Sequence, residues 1–171
     1  MSLRSGRHPQ VPAGEVASDG ASLGSVRLAL ELEVPTDVRL ISRIVQLVSR
    51  QVRDFDFPAH VCSLNVPVAL SEALSNAMLR GNGDDPAKSV RIRMAVDDQE
   101  LILEVTDEGS GFDLERCTQD PTTADNVLRE DGRGLYLMRR LMDRVERFTD
   151  TAPAGHNVVR LTLYRPRPEA P

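Results

Sequence analysis

Apolar and polar residues alternate through SVRLALELEV, so Val26, Leu28, Leu30 and Leu32 fall on one side of an extended chain. That period is the mark of a strand with one buried face. Pro35 and Thr36 end the alternation, and Thr36 or Asp37 can cap a helix after it. The period then changes. In DVRLISRIVQLVSRQVRD, Val38, Ile41, Val45, Val48 and Val52 recur at helical spacing with arginines opposite, which predicts an amphipathic helix. A second helical region is FDFPAHVCSLNVPVALSEALSNAMLRGN. Pro67 has no N–H and would clash with a preceding helical turn. The pattern therefore predicts a short helix near 58–63 and a longer one starting around Asn65 to Pro67 and ending at Gly81. Two strands follow, SVRIRMAV and ELILEVTD, joined by a tight polar turn at Asp97-Asp98. Beyond the long loop EGSGFDLERCTQDPTTADNVLREDGR comes another amphipathic helix, GLYLMRRLMDRV. Its predicted buried stripe is Leu135, Met138, Leu141, Met142 and Val145. Strands near VERFTD and HNVVRLTLYR complete the pattern. Strands in hairpin order with helices grouped between them predict an α/β two-layer sandwich: a mixed, mostly antiparallel sheet covered on one face by helices.

Composition narrows the class. At 171 residues, 40% apolar and 27% charged, the chain suits one globular domain. The pattern divides it into a flexible tail over 1–25, a folded domain over 26–165 and a frayed end over 166–171. No run of about 18 apolar residues offers a membrane span, and the opening residues lack the apolar stretch of a secretory signal. Two cysteines, Cys62 and Cys117, are too few for a disulfide framework, so a cytoplasmic location is the expectation. With 21 Lys+Arg against 26 Asp+Glu, the net charge of −5 argues against direct nucleic-acid binding. Every lysine or arginine except Lys88 is an arginine, and Lys88 lies in DDPAKS, outside any glycine-rich loop. A phosphate site built on a loop lysine is thereby disfavoured.

Three stretches carry candidate chemistry. Glu72 and Asn76 in SEALSNA lie one helical turn apart on one face. A carboxylate there can take a proton from an attacking hydroxyl, and a carboxamide oxygen can ligate Mg²⁺. Asp107-Glu108-Gly109-Ser110-Gly111 comes directly off a strand, where a rigidly held carboxylate can accept from an exocyclic amine and glycines let backbone approach a flat ring. Gly132-Arg133-Gly134 opens a helix, whose free N–H groups and dipole favour an anion without any lysine. Taken singly, each has a plainer explanation: a polar rim on a core helix, a turn with a solvated acid, a hinge before a helix.

Together, in this order and on these elements, they resemble the E-x-x-x-N, D-x-G-x-G and G-x-G boxes of the gyrase, Hsp90, histidine-kinase and MutL (GHKL) superfamily, whose ATP pocket is the Bergerat fold. The resemblance spans roughly residues 26–164. SEALSNAMLRGN, DEGSGFD and GRGLYLMRRLMD look like the small anti-sigma factor serine-protein kinases within it. None of His8, His60 and His156 lies on a long dimerisation helix of the kind a sensor kinase phosphorylates.

The resemblance implies an ATP-dependent protein serine/threonine kinase using Mg²⁺. It also implies an anti-sigma factor that phosphorylates a STAS-type anti-anti-sigma partner, sequesters a sigma factor and forms a homodimer. Glu72 would be the catalytic base and Asn76 the Mg²⁺ ligand. Asp107 would bind the adenine amine, with Gly109 and Gly111 shaping the floor of the pocket, while Gly132, Arg133 and Gly134 would face the phosphates. Two departures stand out. Asn157 in Gly155-His156-Asn157 replaces a threonine that often supports adenine, and Arg80 stands where relatives often carry histidine. The alternatives are a non-catalytic ATP-dependent partner-switching module and the detached ATPase half of a two-component phosphorelay.

Overall fold

Alternation produces β1 (Leu28–Pro35), in which Leu28, Leu30, Leu32 and Val34 pack against the core while Ala29, Glu31 and Glu33 face water. The structure is a computed structural model and describes residues 28–109, 133–150 and 155–165. Val26, the predicted tail and frayed end, and the loop over 110–132 with Gly111, Cys117 and Gly132 lie outside the described residues.

Asp37, not Thr36, is the cap after β1, accepting a hydrogen bond from the Arg39 N–H at 3.0 Å. The single tight turn Val38–Leu40 leads into α1 (Ile41–Arg53). Ile44, Val48, Ser49 and Val52 are buried there, and Ile41 and Val45 pack partly against the core. Val38 stays exposed because its turn is wound more tightly than α1, which takes it off the predicted stripe. The two helices predicted around Pro67 are one continuous stretch. A wide π-type turn, Val61–Asn65, runs directly into α2 (Val66–Ser75), and a second, Asn76–Gly81, closes it. Pro67 sits in the first turn of α2, directly after the wide turn, and does not interrupt the stretch.

Next come β2 (Ser89–Val96) and β3 (Glu100–Asp107). The turn between them is held by Asp97, whose Oδ1 accepts from the N–H groups of Gln99 and Glu100 at 2.7 and 2.8 Å. α3 (Arg133–Leu141) is shorter than its apolar spacing suggests. The Asp143 N–H donates to Thr162 O at 3.0 Å and the Asp143 carboxylate accepts from the Tyr164 N–H at 2.7 Å. These bonds draw the chain away from the helix and into β4 (Arg144–Thr149), so Val145 packs as a strand residue. β5 (Asn157–Tyr164) completes the sheet.

The strand order is β1-β2-β3-β5-β4. The expected mixed sheet is antiparallel at every pairing among the described residues. One face, lined by Ile92, Met94, Leu101, Leu103, Val105 and Leu161, meets the buried sides of the helices, giving the predicted α/β two-layer sandwich. Among the described residues, no helix is long and apolar enough to cross a membrane.

Candidate functional site

The alternation that buries Leu101, Leu103 and Val105 carries Asp107 to the helix side of the sheet at the last position of β3. There it lies opposite Asn157, the first residue of β5. Asp107 is only 2% exposed, and a carboxylate so placed needs partners. Its Oδ1 accepts from the Gly109 N–H at 2.9 Å and from the Asn157 carboxamide at 3.1 Å. Among the described residues, no donor takes Oδ2. The Asn157 amide also donates to Gly109 O at 2.7 Å, while its own oxygen accepts from Arg147 at 2.8 Å. Arg147 thereby turns the nitrogen end of Asn157 toward Asp107.

The second part of the site is on α2 and the wide turn that closes it. Glu72 and Asn76 are half-buried on the same face, and the helix widens from Asn76 onward. Gly134, in the first turn of α3, sits against both: a Cβ there would fall on the Glu72 carboxylate and come within 3.6 Å of the Asn76 amide nitrogen. Arg133 is exposed at the start of α3. The first turn of a helix leaves backbone N–H groups without helical partners, and in α3 that turn adjoins Glu72 and Asn76. Among the described residues, there is no group of three or more His, Cys, Asp or Glu suited to a metal. A lone amide oxygen instead suits Mg²⁺, which keeps water and phosphate oxygens as its other ligands.

The two parts are joined through the end of α2. Gly81 lies nine residues beyond Glu72, at most about 13 Å along the helix. A Cβ on Gly81 would collide with the Asp107 carboxylate, and one on Gly109 would overlap the Gly81 backbone. The structure therefore brings Glu72, Asn76 and Gly134 together, and likewise Asp107, Gly109 and Asn157, along one helix. Gly111 and Gly132 lie outside the described residues.

Sequence reasoning read Gly81 only as a helix end and gave Asn82 no role. Asn82 is 2% exposed. Its amide nitrogen donates to Thr36 Oγ1 and Ser89 O, each at 2.8 Å, and its oxygen accepts from the Glu108 N–H at 2.8 Å. Glu108 is tied down a second time, its Oε1 accepting from the Ser89 N–H at 2.7 Å and the Ser89 hydroxyl at 2.6 Å. Those bonds hold its carboxyl below the usual glutamate range, Ser89 having the largest effect and His156 and Lys88 adding a smaller one. The available signal was the run Gly81-Asn82-Gly83 after a helix, which reads as a C-terminal cap and nothing more.

Residues 34–163, containing all of this geometry, match the family model described as a histidine kinase-like ATPase domain. The chain belongs to that family. Serine-protein kinase RsbW of Bacillus subtilis (strain 168) is 38% identical over 86 residues, which are 47% of this chain and 54% of that protein. Anti-sigma F factor of Bacillus velezensis is 30% identical over 106 residues, 61% of this chain and 71% of that protein. The alignments with the RsbW kinases thus take in only about half of each relative's length. Among solved structures, a mycobacterial sensor histidine kinase, MprB, matches with a TM-score of 0.46 at 18% identity, covering 79% of this chain and 97% of that one. In this histidine kinase-like ATPase domain the E-x-x-x-N, D-x-G and G-x-G stretches all fall inside the matched residues.

Proposed function

We propose that this domain binds ATP with Mg²⁺ along α2 and acts as a protein serine/threonine kinase of the anti-sigma type. The partners in this reading are a STAS-domain anti-anti-sigma protein, which is phosphorylated, and a sigma factor, which is sequestered. The acting form is a cytoplasmic homodimer without direct nucleic-acid contact. The observation that carries the reading is the convergence on α2 and the wide turn that closes it: Gly134 against Glu72 and Asn76, and Gly109 against Gly81 beside Asp107. The relatives' names, a serine-protein kinase and an anti-sigma F factor, point the same way.

In this mechanism Asp107 accepts a hydrogen bond from the adenine amine at Oδ2, because Oδ1 is already engaged by Gly109 and Asn157. Asn76 would hold Mg²⁺ through its amide oxygen. When bound, the ion neutralises charge on the triphosphate. Arg133 and Gly134 at the start of α3, with Gly132 before them in sequence, serve the phosphates through backbone N–H groups. Glu72 takes the proton of the attacking serine or threonine hydroxyl as its oxygen bonds to the γ-phosphorus and the bond to ADP breaks. Positioning and charge neutralisation dominate such a transfer, so few side chains suffice.

Incubation with radiolabelled ATP and a panel of STAS and histidine-domain proteins tests the reading. Phosphoserine or phosphothreonine on a STAS protein is expected. Phosphohistidine would favour a phosphorelay ATPase, and tight ATP binding without transfer a switching module; either overturns the kinase. In the same assay Glu72→Ala should abolish transfer while ATP affinity stays within about threefold, since a base contributes chiefly in the transition state. Equal loss of binding and transfer would make Glu72 a structural residue.

A further inference from the structure

We infer that Asn82 is a positioning residue for the nucleotide: its carboxamide fixes the Asp107–Gly109 turn against the ends of β1 and β2, and thereby sets the affinity for adenine. The inference rests on the reading above, in which Asp107 takes the adenine amine.

A carboxylate can select an amine only if its free oxygen is held in one place, and Asp107 is aimed by the turn that follows it. Asp107 itself is anchored from β5, through Asn157. The other side of the turn is anchored from Asn82. The Glu108 N–H, one residue past Asp107, donates to Asn82 Oδ1. Both donor hydrogens of that amide are also used, on Thr36 Oγ1 and on Ser89 O. The Thr36 hydroxyl is fixed in turn, donating to Lys88 O at 2.9 Å. One buried carboxamide therefore bonds three segments far apart in sequence, the ends of β1 and β2 and the turn after β3. All three of its hydrogen bonds are satisfied, so its orientation has no competing choice. Gly81, the residue before it, packs its backbone on Gly109 and its Cα beside the Asp107 carboxylate, leaving the turn no room to shift toward α2. The hydrogen bonds of the Asn82 side chain go to Thr36, Ser89 and Glu108 and not to Asp107, so its effect passes through the turn.

This assignment predicts a loss confined to the adenine end. Binding of ATP and of inorganic tripolyphosphate, which lacks the base, is measured by calorimetry for the whole chain and its variants. Asn82→Ala should weaken ATP by about 10–100-fold, as removal of supporting partners does in other sites. Tripolyphosphate should change by no more than about twofold. Leu101→Ala, at the opposite end of β3, is the control for general destabilisation and should leave ATP affinity unchanged. Thr36→Val, which removes one partner and keeps the side-chain shape, should show a smaller loss of about fivefold in the same ATP-only direction. It also serves if Asn82→Ala does not fold. Combining the two should add nothing to the effect of Asn82→Ala alone. Equal loss of ATP and tripolyphosphate, a matching loss in Leu101→Ala, or unchanged ATP affinity in both Asn82→Ala and Thr36→Val would overturn the inference. Failure of the underlying reading looks different: the unaltered chain would then bind no ATP, or bind GTP as well as ATP.

Discussion

Gly109 and Gly134 differ in what an added methyl group would meet. At Gly109 it would overlap the carbonyl of Gly81, which is backbone and cannot step aside. At Gly134 it would meet the end of the Glu72 side chain, which can rotate. Gly109→Ala should therefore lower stability by about 1–3 kcal/mol, the range for overpacking, and weaken ATP binding with it. Gly134→Ala should fold nearly as well as the parent but displace the Glu72 carboxylate, cutting phosphoryl transfer more than stability. Urea denaturation with the transfer assay separates the two; equal stability losses would contradict the difference between backbone and side-chain neighbours. Glu108 adds a pH dependence. Its carboxyl is held below the ordinary 4.5 by the Ser89 bonds, so its stabilisation is present above that value and fades as pH falls through the lowered one. Because Glu108 is exposed, Glu108→Gln should cost only about 0.5 kcal/mol at pH 7. That difference should shrink as pH falls below 4.5 and vanish once the carboxyl is protonated in the folded protein as well; a gap that stays constant across the whole acid range would assign it to packing. At this scale the local parts of the site were legible, because E-x-x-x-N and D-x-G are fixed by spacing on one element. Asn82 was not, since its partners Thr36 and Glu108 lie 46 and 26 residues away.

Among the elements, α2 and α3 are joined by a bond that no periodicity encodes. The Asn65 amide, just before α2, donates to Leu141 O at 2.7 Å and so satisfies a carbonyl at the end of α3. Asn65→Ala should cost about 1 kcal/mol and loosen α3, whose first turn holds Gly134 beside Glu72. Hydrogen exchange should then accelerate in α3 while β2 and β3 keep their protection. Uniform acceleration would mean the bond has no local role. The existence and order of the elements followed from pattern alone, since strands of period two and helices of period 3.6 are unlike. Boundaries did not. The α3 stripe continues in spacing through Val145, yet bonds from Asp143 to β5 end the helix at Leu141. The π-type turns flanking α2 widen the helix, and apolar spacing does not record that.

Across the whole molecule the sheet has two unlike faces. The helix side is apolar, and the other carries Glu31, Glu33, Arg91, Arg93, Glu104 and Arg160 in cross-strand contact. Arginine rather than lysine suits this ladder, because one planar guanidinium can reach two carboxylates, as Arg91 reaches Glu31 and Glu33 at 3.6 Å each. The contacts are not equal in worth. Glu33 is 58% exposed and its pair is long, so solvent screening leaves it little. The Glu104 side chain is 14% exposed and accepts from Arg160 Nε at 2.8 Å and a terminal nitrogen at 2.6 Å. Arg160 is further held over the Phe148 ring at 4.7 Å, which restrains its guanidinium. Glu104→Gln keeps the shape and one acceptor but removes the charge, and should cost about 1–2 kcal/mol. Glu33→Gln should stay within about 0.3 kcal/mol. Urea denaturation of both at low salt and in 1 M salt provides the comparison. The Glu104 loss should survive high salt because its pair is short and shielded, and any Glu33 effect should disappear. Comparable losses in the two variants would mean that net charge on this face, and not the geometry at Glu104 and Arg160, governs its stability.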